Sequence, residues 1–234
     1  MRKQPAQPNQ SLIHGVECLQ TVIAAETPLG SRETARRLGA EHTRVNRILG
    51  TFCALGLLEQ TPDRRYRPGP GVHVLAAQSL KASGLLRAAL PVLRRFDSGG
   101  LDLALGVLWN DFVCYFFFRT PGLDADDAIS GRELFPAEQS SIGRIIAAWR
   151  MAEKANAPAF MKKKEAEQLR EKGYAINRMN HHHASIAVGV GSPVFAGLAL
   201  TGGPVADKIV PGMVEKLNKA SEEITARLSQ EGKT

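Results

Sequence analysis

Between residues 11 and 70 the apolar positions fall into short stripes at helical spacing, punctuated by glycine and proline. Ser11 can cap a helix in which Leu12, Val16, Leu19 and Ile23 recur every third or fourth position. Pro28-Leu29-Gly30 breaks it. A short helix is predicted from Ser31 to Leu38, with Gly39 suited to the left-handed position that closes helices. A third helix starts near Glu41, buries Val45, Ile48, Leu49 and Phe52, and runs to about Leu57. Leu58-Glu59-Gln60, a Pro62-Asp63 turn and the alternating Arg65-Tyr66-Arg67 then read as a two-stranded ribbon. Three helices and a ribbon make a small winged helix-turn-helix over residues 11–70, after a disordered segment 1–10.

Past Gly71 the helical pattern returns. Val72, Leu75, Ala76 and Leu80 predict a linker helix over 71–84, and Leu85, Leu86, Ala89, Leu90, Leu93 and Phe96 open a second domain over 85–234. LDLALGVL and FVCYFFF read as a hairpin turning at Trp109-Asn110-Asp111. Both strands are apolar on both faces, so their sheet should be covered on both sides. Helices are expected over 139–149 and 160–172, and strands over 185–190 and 194–201. A final amphipathic helix carries Met213, Leu217, Ala220, Ile224 and Leu228. The second domain is thus α+β, an antiparallel sheet flanked by helices.

Composition narrows the setting. No apolar run among the 234 residues approaches a membrane span, and the polar opening lacks the apolar centre of a signal peptide. A cytoplasmic protein with no membrane partner is expected. Cys18, Cys53 and Cys114 lie far apart in apolar patterns and read as core residues, not a disulfide frame. The net charge is +7, and residues 1–70 hold ten Lys and Arg against six Asp and Glu, so the N-terminal third is the basic part. A basic surplus there suits a polyanion such as double-stranded DNA.

In a helix-turn-helix the second helix of the pair enters the major groove by its N-terminal turns. With the apolar stripe at 45, 48, 49 and 52, positions 43, 44 and 47 are predicted to face outward, with 46 and 51 on the flanks. Arginine bridges guanine O6 and N7, and Asn pairs with adenine. Arg44, Asn46 and Arg47 are therefore expected to read base edges, with His42 and Thr43 at the helix start. Arg32, Arg36 and Arg37 would cross the phosphate backbone, and Arg64 and Arg65 tip the wing.

The arrangement resembles the IclR family of bacterial transcriptional regulators. The residues carrying the resemblance are Ser11-Leu12 with Cys18-Leu19, Glu33 with Ala35, the Gly39-x-x-x-Thr43-x-Val45-x-Arg47-Ile48-Leu49 run, Leu55-Gly56-Leu57-Leu58 and Tyr66-Arg67-Pro68-Gly69. Weaker echoes follow at Ser140-Ser141-Ile142-Gly143-Arg144, Gly173-Tyr174-Ala175, Ser185-Ile186-Ala187 and Thr201-Gly202-Gly203-Pro204. The resemblance implies a GAF-like second domain that binds a small organic or aromatic acid, and a homodimer that can continue to a dimer of dimers. It places the effector contacts at Ser140, Ser141, Ile142, Ser185 and Thr201. Backbone N–H groups at a helix start and hydroxyl donors are what a carboxylate wants. The chain departs from the family at Ala40-Glu41-His42, where the reading helix opens, and at Glu138, Arg144, Asn177 and Ser185 in the second domain.

Other readings compete. The winged unit can instead dock on protein, and a metal- or redox-responsive regulator using His181, His183 and Cys114 is a second rival; as a metal site proper, His181 and His183 can share one face but lack an identifiable further ligand. Cys114-Tyr115-Phe116-Phe117-Phe118 reads as a ligand wall, core or interface, and Lys162-Lys163-Lys164 as a solvated face. There is no nucleotide-binding glycine loop, no Gly-x-Ser-x-Gly elbow and no His-Glu-x-x-His pair. No catalytic residue, cofactor or metal is predicted, and the chain is not read as an enzyme.

Overall fold

The computed structural model describes residues 7–125, 127–129, 134–152, 158–180, 183–203 and 207–231. Contacts divide these into two compact units, up to Ser83 and from Gly84 onward.

The first unit begins with α1 (Gln10–Ile23), capped by the Asn9 carboxamide, which accepts from the N–H groups of Ser11 (3.0 Å) and Leu12 (3.2 Å). The cap is therefore Asn9 and not Ser11. The segment expected to be disordered lies outside the described residues at 1–6, but its end is ordered into this helix. The buried face of α1 is Gly15, Cys18 and Val22, while Leu12, Val16 and Ile23 are exposed. Gly15 faces the Phe52 ring of the third helix, where an added Cβ would sit at ordinary contact distance, 3.5 Å.

Strand β1 (Leu29–Gly30), α2 (Ser31–Leu38), α3 (His42–Ala54), β2 (Leu58–Gln60) and β3 (Arg65–Pro68) follow. Gly39 adopts the left-handed cap at φ 60°. The expected two-stranded ribbon gains a third strand, since Leu29 and Gly30 pair with Tyr66 and Arg65, giving the order β1-β3-β2. Two residues are too short to show a strand period in sequence. Cys18, Val22, Ala35, Val45, Leu49, Leu58 and Tyr66 form the core. The linker helix is α4 (Pro70–Ser83), and none of its residues is buried.

The second unit holds α5 (Leu85–Arg95), β4 (Asp102–Trp109), β5 (Phe112–Arg119), β6 (Phe135–Pro136), α6 (Ser141–Ala152), α7 (Lys163–Lys172), β7 (Tyr174–Asn180), β8 (His183–Val190), β9 (Ala196–Thr201) and α8 (Val210–Glu231). The strands form one antiparallel sheet ordered β6-β5-β4-β9-β8-β7. Asn110 takes the left-handed conformation (φ 51°) that lets β4 and β5 turn in two residues. One face packs under α5 and α8 through Leu103, Leu105, Phe117, Ile186, Leu198, Leu217 and Ile224. The other packs under α6 and α7 through Ala104, Val113, Ile145, Ile146, Ala187 and Ala199. A sheet covered on both sides is what the two-faced apolar strands required. Strand β7 is not evident in sequence, because its run mixes Ile176 with Asn177 and Arg178 and sits at the sheet edge.

Candidate functional site

Helix α3 turns the seam residues Val45 and Leu49 inward and leaves Thr43, Arg47, Gly50 and Ala54 on the opposite side, exposed. Arg44 was expected on that outer face and is instead half-buried on the flank. At 100° per residue it stands one step from Val45. Asn46 is exposed on the other flank, where its side-chain oxygen accepts from the Tyr66 hydroxyl of β3 at 3.4 Å. Gln60 donates to the same hydroxyl at 3.2 Å, so the wing base and the third helix are tied together. His42 meets Ser31 across the turn at 3.0 Å.

The remaining basic side chains differ in how much charge they present. Glu33 holds both Arg36 (2.8 Å) and Arg37 (2.9 Å), Glu59 holds Arg67 (2.9 Å), and Asp63 holds Arg65 (3.1 Å). Arg32, Arg44, Arg47 and Arg64 have no such carboxylate among the described residues. Arg64 sits at the wing tip with φ 60°, the left-handed residue of a turn closed by Arg64 N–H donating to the Thr61 carbonyl at 2.9 Å. Missed in sequence is the cap of α3. The Glu41 carboxylate accepts from the N–H groups of Thr43 (2.8 Å) and Arg44 (3.0 Å). The Thr43 side chain and those N–H groups hold its carboxyl below its ordinary value.

In the second unit a cavity of about 660 Å³ opens between the sheet and the start of α6. All five residues expected to contact effector line it: Ser140, Ser141, Ile142, Ser185 and Thr201. The Ser140 carbonyl accepts from Arg144 N–H at 2.9 Å and its Oγ from Gly143 N–H at 3.3 Å, so Ser140 caps the helix. That leaves the N–H groups of Ser141 and Ile142 in the first turn, where no earlier helical carbonyl can reach them. Ser141 and Ser185 are buried (2% and 7% exposed), and their hydroxyls have no hydrogen-bond partner among the described residues. Buried hydroxyls without partners are costly unless something polar reaches them.

Gly143 lets the helix start close on Ala137, and Gly197 lets Ile142 close on the sheet. A Cβ at Gly143 would lie 2.3 Å from the Ala137 carbonyl oxygen, and one at Gly197 would lie 2.9 Å from Ile142. Asn177 ties the preceding 3₁₀ turn (Ala137–Gln139) to β7 by donating to the Gln139 carbonyl.

The aromatic run divides between core and wall. A bulge in β5 opposite Leu105 and Gly106 sends Phe116 and Phe117 to the α5/α8 side, and Tyr115 and Phe118 to the cavity. Tyr115 and Phe118 meet edge-on at 5.6 Å, Phe135 stands 6.5 Å from Tyr115, and the Tyr115 hydroxyl reaches Ser140 Oγ at 3.4 Å. Asp102, Gln139 and His183 complete the polar lining, which holds no lysine or arginine among the described residues. Arg144 turns away, to Glu165 at 2.7 Å and the Ile176 carbonyl at 3.2 Å.

No three His, Cys, Asp or Glu side chains converge among the described residues, and His181 and His182 lie outside them. Burial pushes the Cys114 thiol up, which disfavours the reactive thiolate. Lys162, Lys163 and Lys164 are exposed. No described helix is long and apolar enough to cross a membrane.

No protein-family profile matches the chain. A curated relative, the HTH-type transcriptional regulator BhcR of Paracoccus denitrificans (strain Pd 1222), is 31% identical over 96 residues, 40% of this chain. The match spans only 34% of that relative's length. Among solved structures, an IclR family transcriptional regulator from Brucella abortus superposes with a TM-score of 0.72 at 19% identity, over 96% of this chain and 94% of that one. An IclR homologue from Microbacterium hydrocarbonoxydans, solved in complex with 4-hydroxybenzoate, gives a TM-score of 0.66 at 21% identity, over 94% of this chain and 100% of that one. Along nearly its whole length, this chain has the fold of the IclR-family transcriptional regulators.

Proposed function

We propose that the chain is a sequence-specific DNA-binding transcriptional regulator of the IclR type, cytoplasmic, whose second unit takes a small organic or aromatic acid as effector. The observation that carries the DNA reading is the outer face of α3. Thr43 and Arg47 stand opposite the seam, and no carboxylate neutralises Arg47 among the described residues. Arg64 adds charge at the wing tip, where phosphate or the minor groove lies in winged helices. Arg32, Arg36 and Arg65 would follow the backbone, the last two exchanging a carboxylate partner for phosphate. Asn46, held by Tyr66, keeps its amide nitrogen as the donor, which adenine N7 accepts.

The acid reading is supported by the helix start at Ser141, the buried hydroxyls and the aromatic wall. A structural neighbour holds 4-hydroxybenzoate, which fits a cavity of this character. A homodimer is proposed because α4 buries none of its residues and α1 exposes Leu12, Val16 and Ile23. An isolated helix of fourteen residues is marginal in water, so a second copy is the natural cover. Two half-sites must then lie about one DNA turn, or a multiple of it, apart. An effector that alters the dimer shifts affinity by favouring one spacing.

The test is a salt titration of binding to the DNA that the full-length protein selects from a random pool. Contact with several phosphates predicts a steep fall in affinity with salt, log against log. A flat response, or no selection at all, would sink the reading.

A further inference from the structure

Strand β3 turns Arg65 and Arg67 to solvent and Tyr66 inward, into the core with Val45, Leu49 and Leu58. Filling that core needs only the ring. The hydroxyl has a separate set of contacts, between the wing and α3. Gln60, the cross-strand neighbour of Tyr66 on β2, donates its amide N–H to the hydroxyl oxygen at 3.2 Å. The hydroxyl in turn donates to the side-chain oxygen of Asn46 at 3.4 Å. Asn46 is exposed on α3, next to Arg47. A three-member relay thus runs from the wing base to the surface of the third helix.

The relay has a direction. A phenol carries one proton, and the Gln60 N–H already occupies the hydroxyl oxygen, so that proton is left for Asn46. Burial pushes the Tyr66 pKa up, which keeps the proton in place at neutral pH. Only the oxygen of the Asn46 carboxamide can receive it. An exposed asparagine otherwise turns its amide over readily, exchanging oxygen for nitrogen. The distinction matters in the major groove, where adenine presents an acceptor, N7, beside a donor, N6–H. An amide held in one sense matches that pair, nitrogen to N7 and oxygen to N6–H, and the reverse sense matches neither. The oxygen has two lone pairs, so accepting from Tyr66 leaves one for adenine. Guanine offers two acceptors and thymine O4 one, which an amide free to turn meets with its N–H groups alone. We infer that Tyr66, its hydroxyl oriented by Gln60, is a positioning residue that fixes the sense of the Asn46 amide and so restricts one operator position to adenine. The inference rests on α3 being the helix that reads base edges.

The experiment is selection from a random DNA pool by the full-length protein, followed by anisotropy on the selected fragment and its single-base variants. Asn46→Ala marks the position concerned, by losing adenine there. Wild type is expected to prefer adenine at that position roughly tenfold over guanine or thymine, as a bidentate contact allows. Tyr66→Phe, checked for folding by its thermal melt, is expected to bring the three bases within about threefold. Preferences at other positions and affinity for random DNA should stay as in wild type, because no charge has changed. A purely structural tyrosine would not produce a loss confined to one base. Gln60→Glu gives the hydroxyl proton a stronger acceptor and turns the Tyr66 oxygen toward the Asn46 nitrogen, so it should lose the same preference, and it serves if Tyr66→Phe does not fold. Adenine preference that survives in either folded variant, or an Asn46→Ala protein that loses none, overturns the inference and leaves base reading by the rest of α3 standing. Failure of wild type to select any sequence overturns the reading helix and the inference together.

Discussion

Single residues decide how the α3 surface behaves toward DNA. Glu41 caps α3 and takes the N–H groups of Thr43 and Arg44, which under the proposed DNA reading would otherwise be open to phosphate. The Thr43 side chain and backbone N–H groups lower its folded pKa below the ordinary 4.5, so its contribution to stability is present above that value and fades as pH falls through the lower folded one. Glu41→Ala should therefore melt lower than wild type at neutral pH. Melts taken at successively lower pH should show the difference shrinking below pH 4.5. The same variant removes a negative charge from the end of α3 proposed to face the groove, so its binding to random DNA should tighten, which anisotropy at fixed salt would show. Arg64 poses the converse case. A non-glycine residue at φ 60° is strained, and Arg64→Gly should leave the fold as stable as before or better by about 1 kcal/mol. It should also lower the salt slope of DNA binding by about one unit, the share of one phosphate contact. A melt that drops, or a slope that does not move, counts against the wing's role.

At the scale of elements, the start of α6 is the part on which the cavity depends. Gly143→Ala would push the first turn off the Ala137 carbonyl, a backbone contact that cannot yield cheaply. A loss of about 1–3 kcal/mol is expected, together with loss of acid binding, read by denaturant unfolding and by calorimetry. Much of this element-level design is legible in the sequence. The stripes at 45–52 and 213–228 and the Asn110 hairpin announce themselves by period or type, whereas the hydroxyls at 140, 141, 185 and 201 stand out only through the family resemblance. The α1 face does not. Its large apolar residues point outward and its seam includes Gly15 and Cys18, small residues that a hydrophobic pattern passes over. Asp102 was equally hidden. Its place in the cavity follows from three strands falling into register, a long-range fact that no local window contains. The bulge that divides Phe116 and Phe117 from Tyr115 and Phe118 is of the same kind.

For the whole molecule, the exposed apolar faces of α1 and α4 carry the expectation of a dimer. Leu12→Glu combined with Leu75→Glu replaces two exposed leucines by charge and removes no described core contact. Sedimentation should then show a monomer whose thermal unfolding still includes the sheet unit, with operator affinity reduced because half-sites are no longer bound together. An unchanged dimer would move the interface elsewhere. The central claim, that the outer face of α3 reads base edges, is tested most directly at Arg47. Electrophoretic retardation of the selected DNA fragment by Arg47→Ala should fall to the level seen with random DNA, while its melting temperature stays that of wild type. Retardation of the selected fragment at wild-type affinity would contradict the account.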